Sequence, residues 1–502
     1  MADGQTITDF TNRDYASLLE SLLDLAALKL PEWTDRSESD VGRMLLELFA
    51  YTGDVILYYQ DRIANEAFLE TAVERRSVID LLSLIGYTLA TPAAASVALE
   101  LTPADPAAEV RIDAGARFAT EAAIDRPPVE FVFLPDSGAA LVQAPVVVAG
   151  VIQPITVTAL NATPVRNETL GVSSGFENQA FTLAQSPVIL PRDPDPRDTV
   201  AVEVDPGSGF ERWRRRSTLV NSLSDDPHFV ARVDDEDRAQ VIFGDGTYGR
   251  VPPAGSTIRA SYQVGGGRQG NVAAGTITVV RSGVNVSAGV TNPQPASGGA
   301  DRESVEDARR HAPAVFRSLQ RAVTKEDIAA LAETFPGVAR AVAVPAGWNY
   351  VDVFVVAAGG PGLTDVLRAQ LLQYFEPRRM VTTLVNIREP VFVAIHLALL
   401  VGVDPTFFAG DVERRVRDAL EALFAIDRLA FGQPFHLSKV FEAAESVEGV
   451  AFAEVPGFVG RRSVPAGEVV DPVAGAAGRI PLRPHEFPRQ GTITITASGG
   501  LA

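Results

Sequence analysis

Hydrophobic positions along this chain change their period as the sequence runs, and the changes predict its layout. Over residues 1–90 they recur at helical spacing. Tyr15, Leu18, Leu19, Leu22, Leu23 and Leu25 fall on one helical face. They follow Thr11-Asn-Arg-Asp14, which resembles a capping box, and Pro31 closes the helix. A second helix is predicted from Ser39-Asp40. It carries Val41, Met44, Leu45, Leu48, Phe49, Val55, Ile56, Tyr59 and Ile63 over roughly seven turns, with Tyr51 and Tyr58 adding aromatic surface. A third spans Val73–Ile85, with Gly86 placed to end it. The second helix is apolar over so wide a face that it needs neighbours on more than one side. Two arrangements meet that need: three helices packed within one chain, or a bundle shared between chains.

From about residue 95 the period shortens to two. Val97-Leu99-Leu101, Val110-Ile112, Phe131-Phe133, Val146–Val151 and Ile155–Leu160 read as short strands punctuated by Pro, Gly and Asp. The signal continues past the Pro-rich link Pro191–Pro196 through Val200–Val204 and Phe229–Val233. Residues 243–275 then hold nine glycines in two clusters. Gly244, Gly246 and Gly249 close the run Val241-Ile242-Phe243, while Gly265, Gly266, Gly267 and Gly270 follow the alternation Ile258-Ala260-Tyr262-Val264. The pattern predicts a β-hairpin with a long, sharply bent return. A phosphate cradle would need a helix directly after the glycines, but Thr276–Arg281 alternates like a strand. Pro293–Ala300 reads as a linker.

Beyond it the helical period returns over Asp301–Phe335, with Thr324 as an N-cap and Asp327 completing its box. Two αβ segments follow. The first is strand Val338–Val344 paired with Val351–Val356, helix Thr364–Phe375 and strand Val381–Ile387. The second is strand Val391–Val403, helices Val412–Ala425 and Leu437–Ser446, and strand Val450–Val455, with Thr492–Ala497 closing the tail. The fold class expected is multidomain α+β: a helical bundle segment over 1–90, a β-rich region over 91–292 divided near 191–198, an α/β domain over 301–390, and a C-terminal α/β domain with a β tail over 391–502.

Composition narrows the function. A chain of 502 residues with 46% hydrophobic and 21% charged residues is globular. Its net charge of −19 argues against a nucleic-acid groove. The one dense basic run, Arg212-Trp213-Arg214-Arg215-Arg216, reads as a strand edge or as a contact for an acidic partner. The chain has no cysteine, which removes disulfides, thiolate nucleophiles and Cys-ligated zinc. No secretory signal opens the sequence, and the 13-residue apolar run Val391–Val403 suits a buried strand better than a membrane span. These features describe a protein made in the cytoplasm that does not insert into membranes. His228, His311, His396, His436 and His485 lack metal-ligand spacing, and Asp193/Asp195 and Asp234–Asp237 lack that of a calcium loop. No nucleophile, zinc-protease or nucleotide-binding motif is present, so neither catalytic residues nor a cofactor is assigned.

Four blocks together resemble the baseplate J-like wedge proteins. The first comprises Asp40-Val-Gly-Arg-Met-Leu-Leu-Glu-Leu-Phe49, Asp54, Tyr58-Tyr59-Gln-Asp61, Glu66–Ala72, Arg75-Arg-Ser77 and Leu84-Ile-Gly-Tyr87. The second is Phe243-Gly-Asp-Gly246 with Pro252-Pro253, Gly255, Tyr262, Gly265–Gly267 and Gly270-Asn271-Val272. The third is Ala322-Val-Thr324, Asp327 and Phe335–Ala339; the fourth is Gly432-Gln-Pro-Phe435, Leu437, Val440 and Val447–Val450. The likeness is greatest to the baseplate assembly proteins of phage-tail-like contractile injection systems.

This resemblance implies a non-enzymatic wedge component of a sixfold baseplate. It implies pairing with a second copy and with a second wedge protein through the N-terminal helices. It further implies C-terminal dimerisation that links wedges into a ring around the central spike hub, contact with sheath-proximal components, and widening of the ring to start sheath contraction. The particle, phage or phage-tail-like, would be assembled in the cytoplasm. Leu45, Leu48, Phe49, Tyr58 and Tyr59 are the expected interaction residues, and Gly244, Gly246, Gly266 and Gly270 the expected scaffold. A different class, a particle-borne carbohydrate-binding or carbohydrate-active β-protein, predicts a cleft with two carboxylates. A nucleotide-binding protein would rest on the glycine clusters alone.

Overall fold

The computed structural model describes residues 8–501 apart from 38, 123–126, 136–137, 150, 192–198, 235, 286–287, 319, 359–361, 464–471 and 475–477. Asp193 and Asp195 of the Pro-rich link therefore lie outside the described residues, as does Asp235. The fold is mixed α+β with several sheets. The chain divides into two compact units, residues 1–89 with 304–316, and residues 90–303 with 317–502.

In the first unit, α1 (Tyr15–Lys29) is capped three residues later than the Thr11–Asp14 box suggested. Asp14 is the N-cap, accepting from the Ser17 N–H at 2.9 Å, while Ser17 Oγ accepts from the Asp14 N–H at 2.9 Å. Helix α2 (Val41–Asn65) runs its predicted seven turns from the Asp40 cap, whose carboxylate accepts from the Arg43 N–H and from Trp33 Nε1. Helix α3 (Arg75–Leu84) ends before Gly86, which has φ +74°. The core of this unit is Ala72, Val78, Leu82 and Tyr87 against Ala308, Ala312 and Val315 of α4 (Val305–Ser318). Arg309 of α4 ties the two parts together by donating to the carbonyls of Leu69 and Ala72. Neither α1 nor α2 contributes to that core: α1 buries no residue, and α2 buries only Ala50, Asp61 and Asn65.

The second unit opens with β1 (Ser96–Pro103), β2 (Val110–Thr120), β3 (Glu130–Phe133), β4 (Leu141–Gln143), the ribbon of β5 (Val147–Val148) and β6 (Val151–Ile152), and β7 (Ile155–Leu160). Then come β8 (Ala162–Val172), β9 (Ala180–Thr182), β10 (Ala201–Asp205), β11 (Glu211–Arg216), β12 (His228–Val233), β13 (Ala239–Phe243), β14 (Thr257–Gly265), β15 (Ile277–Val284) and β16 (Ala288–Thr291). They form two seven-stranded sheets. One has the order β15-β2-β3-β7-β1-β16, with β4 also on β2; the other is β8-β14-β10-β11-β12-β13-β9. Period-two alternation sends one set of side chains from each sheet inward: Val97, Leu99, Leu101 and Phe131 in the first, Val202, Trp213, Phe229, Val241 and Tyr262 in the second.

Three expectations are revised here. The glycine-rich stretch is not a hairpin turn, because β13 pairs with β12 and β9 while β14 pairs with β10 and β8. The basic run is not an edge: β11 is the central strand, antiparallel to β10 and parallel to β12. Pro293–Ala300 is no free linker, since Ser297 and Ala300 bridge to Ser96 and Ala93, and Ala296 and Ser297 are buried.

The αβ segments follow the predicted pattern. Helix α5 (Lys325–Glu333) carries the Thr324–Asp327 capping box. It packs with α6 (Asp365–Phe375) on β17 (Val338–Pro345), β18 (Tyr350–Ala357) and β19 (Leu384–Arg388) around Leu331, Val353, Leu367, Leu371 and Phe375. The last layer is β20 (Val391–Phe408), α7 (Ala409–Ala422), the short β21 (Phe435–His436), α8 (Leu437–Glu445), β22 (Val450–Arg462), β23 (Pro472–Ala474), the short β24 (Arg479–Ile480) and β25 (Glu486–Leu501). Its sheet order is β23-β22-β20-β25. Val393, Ile395, Leu397, Leu399 and Val401 of β20 are buried in one core with Val412, Val416 and Leu420 of α7 and Val440 and Ala444 of α8. The alternate positions Ala394, His396, Ala398 and Leu400 face the other way.

Candidate protein-interaction surface

Helix α2 holds residues 8–10 through polar side chains on its inner side and exposes a broad apolar face on its outer side. On the inner side, Asn65 accepts from the Thr8 N–H and donates to the Thr8 and Asp61 carbonyls, and Asp61 accepts from the Phe10 N–H. Gly53 lets Leu18 of α1 approach closely. On the outer side, Leu45 is 48% exposed, Leu48 56%, Phe49 68%, Tyr58 52% and Tyr59 62%. Val41, Met44, Tyr51, Ile56 and Ile63 on the same helix, and Leu25 and Leu28 on α1, are exposed as well. Scattered surface apolar residues are ordinary; a contiguous helical face of them marks an interaction site. Within the first unit, packing among the described residues does not cover this face.

The predicted glycines sit at two close approaches in the second unit. Gly244–Gly249 forms a closed turn in which Gly246 N–H donates to the Gly249 carbonyl, and the Asp245 carboxylate accepts from the Thr247 and Tyr248 N–H groups. Those bonds, the Tyr248 one first, hold the Asp245 carboxyl below its usual range. A Cβ on Gly244 would stand 2.2 Å from the Gly249 carbonyl oxygen, while Gly246 needs glycine for its φ of +84°. Gly266 combines both demands: φ is +77°, and a Cβ would meet the Ala93 carbonyl oxygen at 2.7 Å. Gly270 is pressed against Asn161 and Ala95. The cluster ends in a three-residue 3₁₀ turn, Arg268–Gly270, and a short loop leads from it to β15 at Ile277, so the helix N-terminus that a phosphate loop requires is missing at this point. Gly266→Val is expected to lower the melting temperature more than Gly246→Val, because the second strains φ alone. Thermal unfolding followed by circular dichroism checks the order.

Beside Gly265 and Gly266 lies a cleft of 140 Å³ lined also by Arg117, Glu130, Asn161 and Gln269. It holds one carboxylate, Glu130, paired with Arg117 at 3.7 Å, rather than the two that glycoside chemistry uses.

One cluster brings together residue types of a nucleophilic triad without its geometry. Ser222 Oγ lies 2.9 Å from His228 Nδ1, and Asp226 Oδ2 lies 3.6 Å from that same nitrogen. Arg216 donates to His228 Nε2 through both Nε and Nη2. Guanidinium has no acceptor, so Nε2 carries the lone pair and Nδ1 the proton. The base's lone pair thus faces arginine, away from the serine it would have to activate. His228 acts as a buried tie between β12 and the loop before it. Burial first, then Arg216, lower its pKa; Asp226 pulls the other way, and Arg214 adds a smaller lowering effect. A histidine lowered in this way stays neutral when folded but takes up a proton in the unfolded chain below about pH 6.5. Its stabilising contribution is therefore complete above that pH and is lost as pH falls through the folded value. The urea midpoint is expected to drop between pH 7.5 and 5.5, and His228→Asn to drop by less over the same interval. Among the described residues, no group of three or more His, Asp or Glu side chains is placed to hold a metal ion, and no helix is long and apolar enough to cross a membrane.

Two stretches of the chain match families of known proteins. Residues 14–84, which hold α1–α3, match the family of bacteriophage baseplate protein N-terminal domains. Residues 320–388, which hold α5, β17–β19 and α6, match the baseplate J-like central domain. The chain thus combines a baseplate N-terminal domain with a baseplate J-like domain, and is a structural baseplate component of a phage-like particle. Among solved structures, it is similar to a chain of the anti-feeding prophage baseplate, determined by cryo-electron microscopy with sixfold symmetrisation. That match has 13% identity and a TM-score of 0.31 over 94% of this chain and 90% of the other. It is also similar to a chain of the type VI secretion system TssK-TssF-TssG baseplate subcomplex, with 9% identity and a TM-score of 0.32 over 69% of this chain and 96% of the other. Among curated proteins, none matches.

Proposed function

We propose that this chain is a non-enzymatic wedge subunit of the sixfold baseplate of a contractile injection system. The single observation that carries the reading is the outward apolar face of α2, on which Leu45, Leu48, Phe49, Tyr58 and Tyr59 have no cover from the described residues of their own unit. In this reading the face is buried in a bundle with a second copy of the chain and a second wedge protein. The C-terminal sheet offers the other contact. Its face away from α7 and α8 presents Ala394, Ala398 and Gly457 beside exposed Leu400, Phe452 and Val459. His396, Glu454 and Arg461 lie among them, and in this reading the mixed face meets a second copy and joins neighbouring wedges into a ring around the spike hub. Sheath-proximal proteins would sense widening of the ring.

Co-expression tests the bundle. With the neighbouring baseplate proteins present, the full chain is expected to co-purify in a stable subcomplex, and a chain lacking residues 8–65 is not. A truncated chain that still assembles would overturn the assignment of the bundle to these helices.

A further inference from the structure

We propose that the outer face of the β8-β14-β10-β11-β12-β13-β9 sheet docks an acidic segment of another protein in the particle. This inference does not depend on the wedge reading, only on the chain having protein neighbours.

Strand alternation separates the basic run into two sets. Trp213 and Arg215 point into the sheet's core and are buried, whereas Arg212, Arg214 and Arg216 stand outward and exposed. Strand β12 extends the patch. Its register sets His228 beside Arg214 and Val230 beside Arg216, so exposed Arg232 continues the same face one step further. Four guanidinium groups thus share the middle of the sheet.

The carboxylates nearby are already engaged. Glu203, whose Cα is opposite Arg212, is held by Arg259 at 2.6 Å. Glu211 pairs with Arg250 at 2.5 Å. Asp226 accepts from the Leu223 N–H and lies against His228. Arg216 spends its bonds on the neutral Nε2 of His228, which offsets none of its charge. Among the described residues none of the four arginines has a carboxylate partner, although the chain has 63 acidic residues to 44 basic ones. Like charges gathered on one face repel one another, and an opposite charge docking there relieves the repulsion.

The geometry points to carboxylates on protein. Planar guanidinium forks bind carboxylates bidentately, and alternate residues on a strand repeat at about 7 Å, the same repeat as alternate side chains of an extended acidic segment. A nucleic acid fits less well. Phe210, the exposed aromatic residue just before β11, is capped by the Arg259 guanidinium at 3.5 Å and so does not offer that ring face for stacking. Glu211, Asp234 and Glu236 flank the arginines, and the net charge of −19 repels a long polyanion.

The test uses the full chain and two fluorescent probes: a ten-residue peptide alternating glutamate and serine, and a ten-nucleotide thymidylate. Fluorescence anisotropy at 50 and 300 mM NaCl is expected to show peptide binding that weakens at high salt and falls at least tenfold in the R212E/R214E/R232E variant. R281E, a reversal on a different sheet, is expected to bind like the parent. If the triple reversal fails to melt like the parent, R212Q/R214Q/R232Q provides the same comparison. Absent peptide binding at low salt, equal binding by the triple variant, or tighter binding of the oligonucleotide than of the peptide would each overturn the proposal.

Discussion

Replacing Leu48 and Ile56 of α2 with glutamate is expected to remove the chain from its assembly while leaving the isolated protein as stable as before. Both side chains are more than half exposed, so neither substitution opens a cavity or buries a charge in the free chain. Both positions also tolerate glutamate's helix propensity, and the inner contacts of α2, through Asp61 and Asn65 to residues 8–10, are untouched. The melting temperature should therefore move by no more than about 2 °C. In a bundle the same positions would bury a carboxylate against apolar side chains. Two such losses, each worth roughly 2 kcal/mol or more, weaken association by about a thousandfold. Co-purification with the neighbouring baseplate proteins, beside thermal unfolding of the isolated variant, reads both halves. A variant that assembles normally would show that this face is not the contact.

The second large effect lies in the C-terminal layer. Glu486 at the start of β25 is wholly buried, accepting from Arg462 Nε at 2.6 Å and from the Arg483 N–H at 2.9 Å. It fastens the parallel pair β20–β25 at the end where Val391 lies beside Glu486, and Arg462 brings in β22. Glu486→Ala removes a buried acceptor from both of these donors and is expected to cost about 2–3 kcal/mol. Glu486→Gln keeps an acceptor and should cost less. Hydrogen exchange of peptides from β20 and β25 measures this locally. Faster exchange confined to that layer is expected, and unchanged protection would contradict the role.

Much of the fold could be read from periodicity because helices and strands differ in the one quantity that a sequence displays directly. The length of α2, the Thr324 cap and the buried alternation of β20 follow from that. Neighbour relations do not. Alternation specifies which face of a strand is buried but not which strand lies beside it, so β13 and β14, adjacent in sequence, end up with three strands between them. The same gap made Arg212–Arg216 look like an edge, when β11 is central and its alternation hides Trp213 and Arg215. Ser297 and Ala300 looked like linker residues because small residues suit both a free segment and one laid tightly against Ala93–Ser96.

The proposed interaction face was half legible. Leu45, Leu48, Phe49, Tyr58 and Tyr59 were recognisable as one apolar surface, but a helical pattern does not say whether such a surface turns inward or outward. The deciding signal was polar. Asp61, noted in sequence only as part of a family block, and Asn65 take the inner side to hold residues 8–10, and this leaves the apolar side outward. For the glycines, residue type announced a constraint without its cause. Only the fold separates Gly246, needed for its φ, from Gly244 and Gly270, needed for room.

A map of the assembled baseplate, by electron microscopy, tests the central claim most directly. The account predicts that Leu45, Leu48, Phe49, Tyr58 and Tyr59 are buried against helices of other chains in six equivalent positions. Density in which this face of α2 stands open to solvent in the finished baseplate would contradict it.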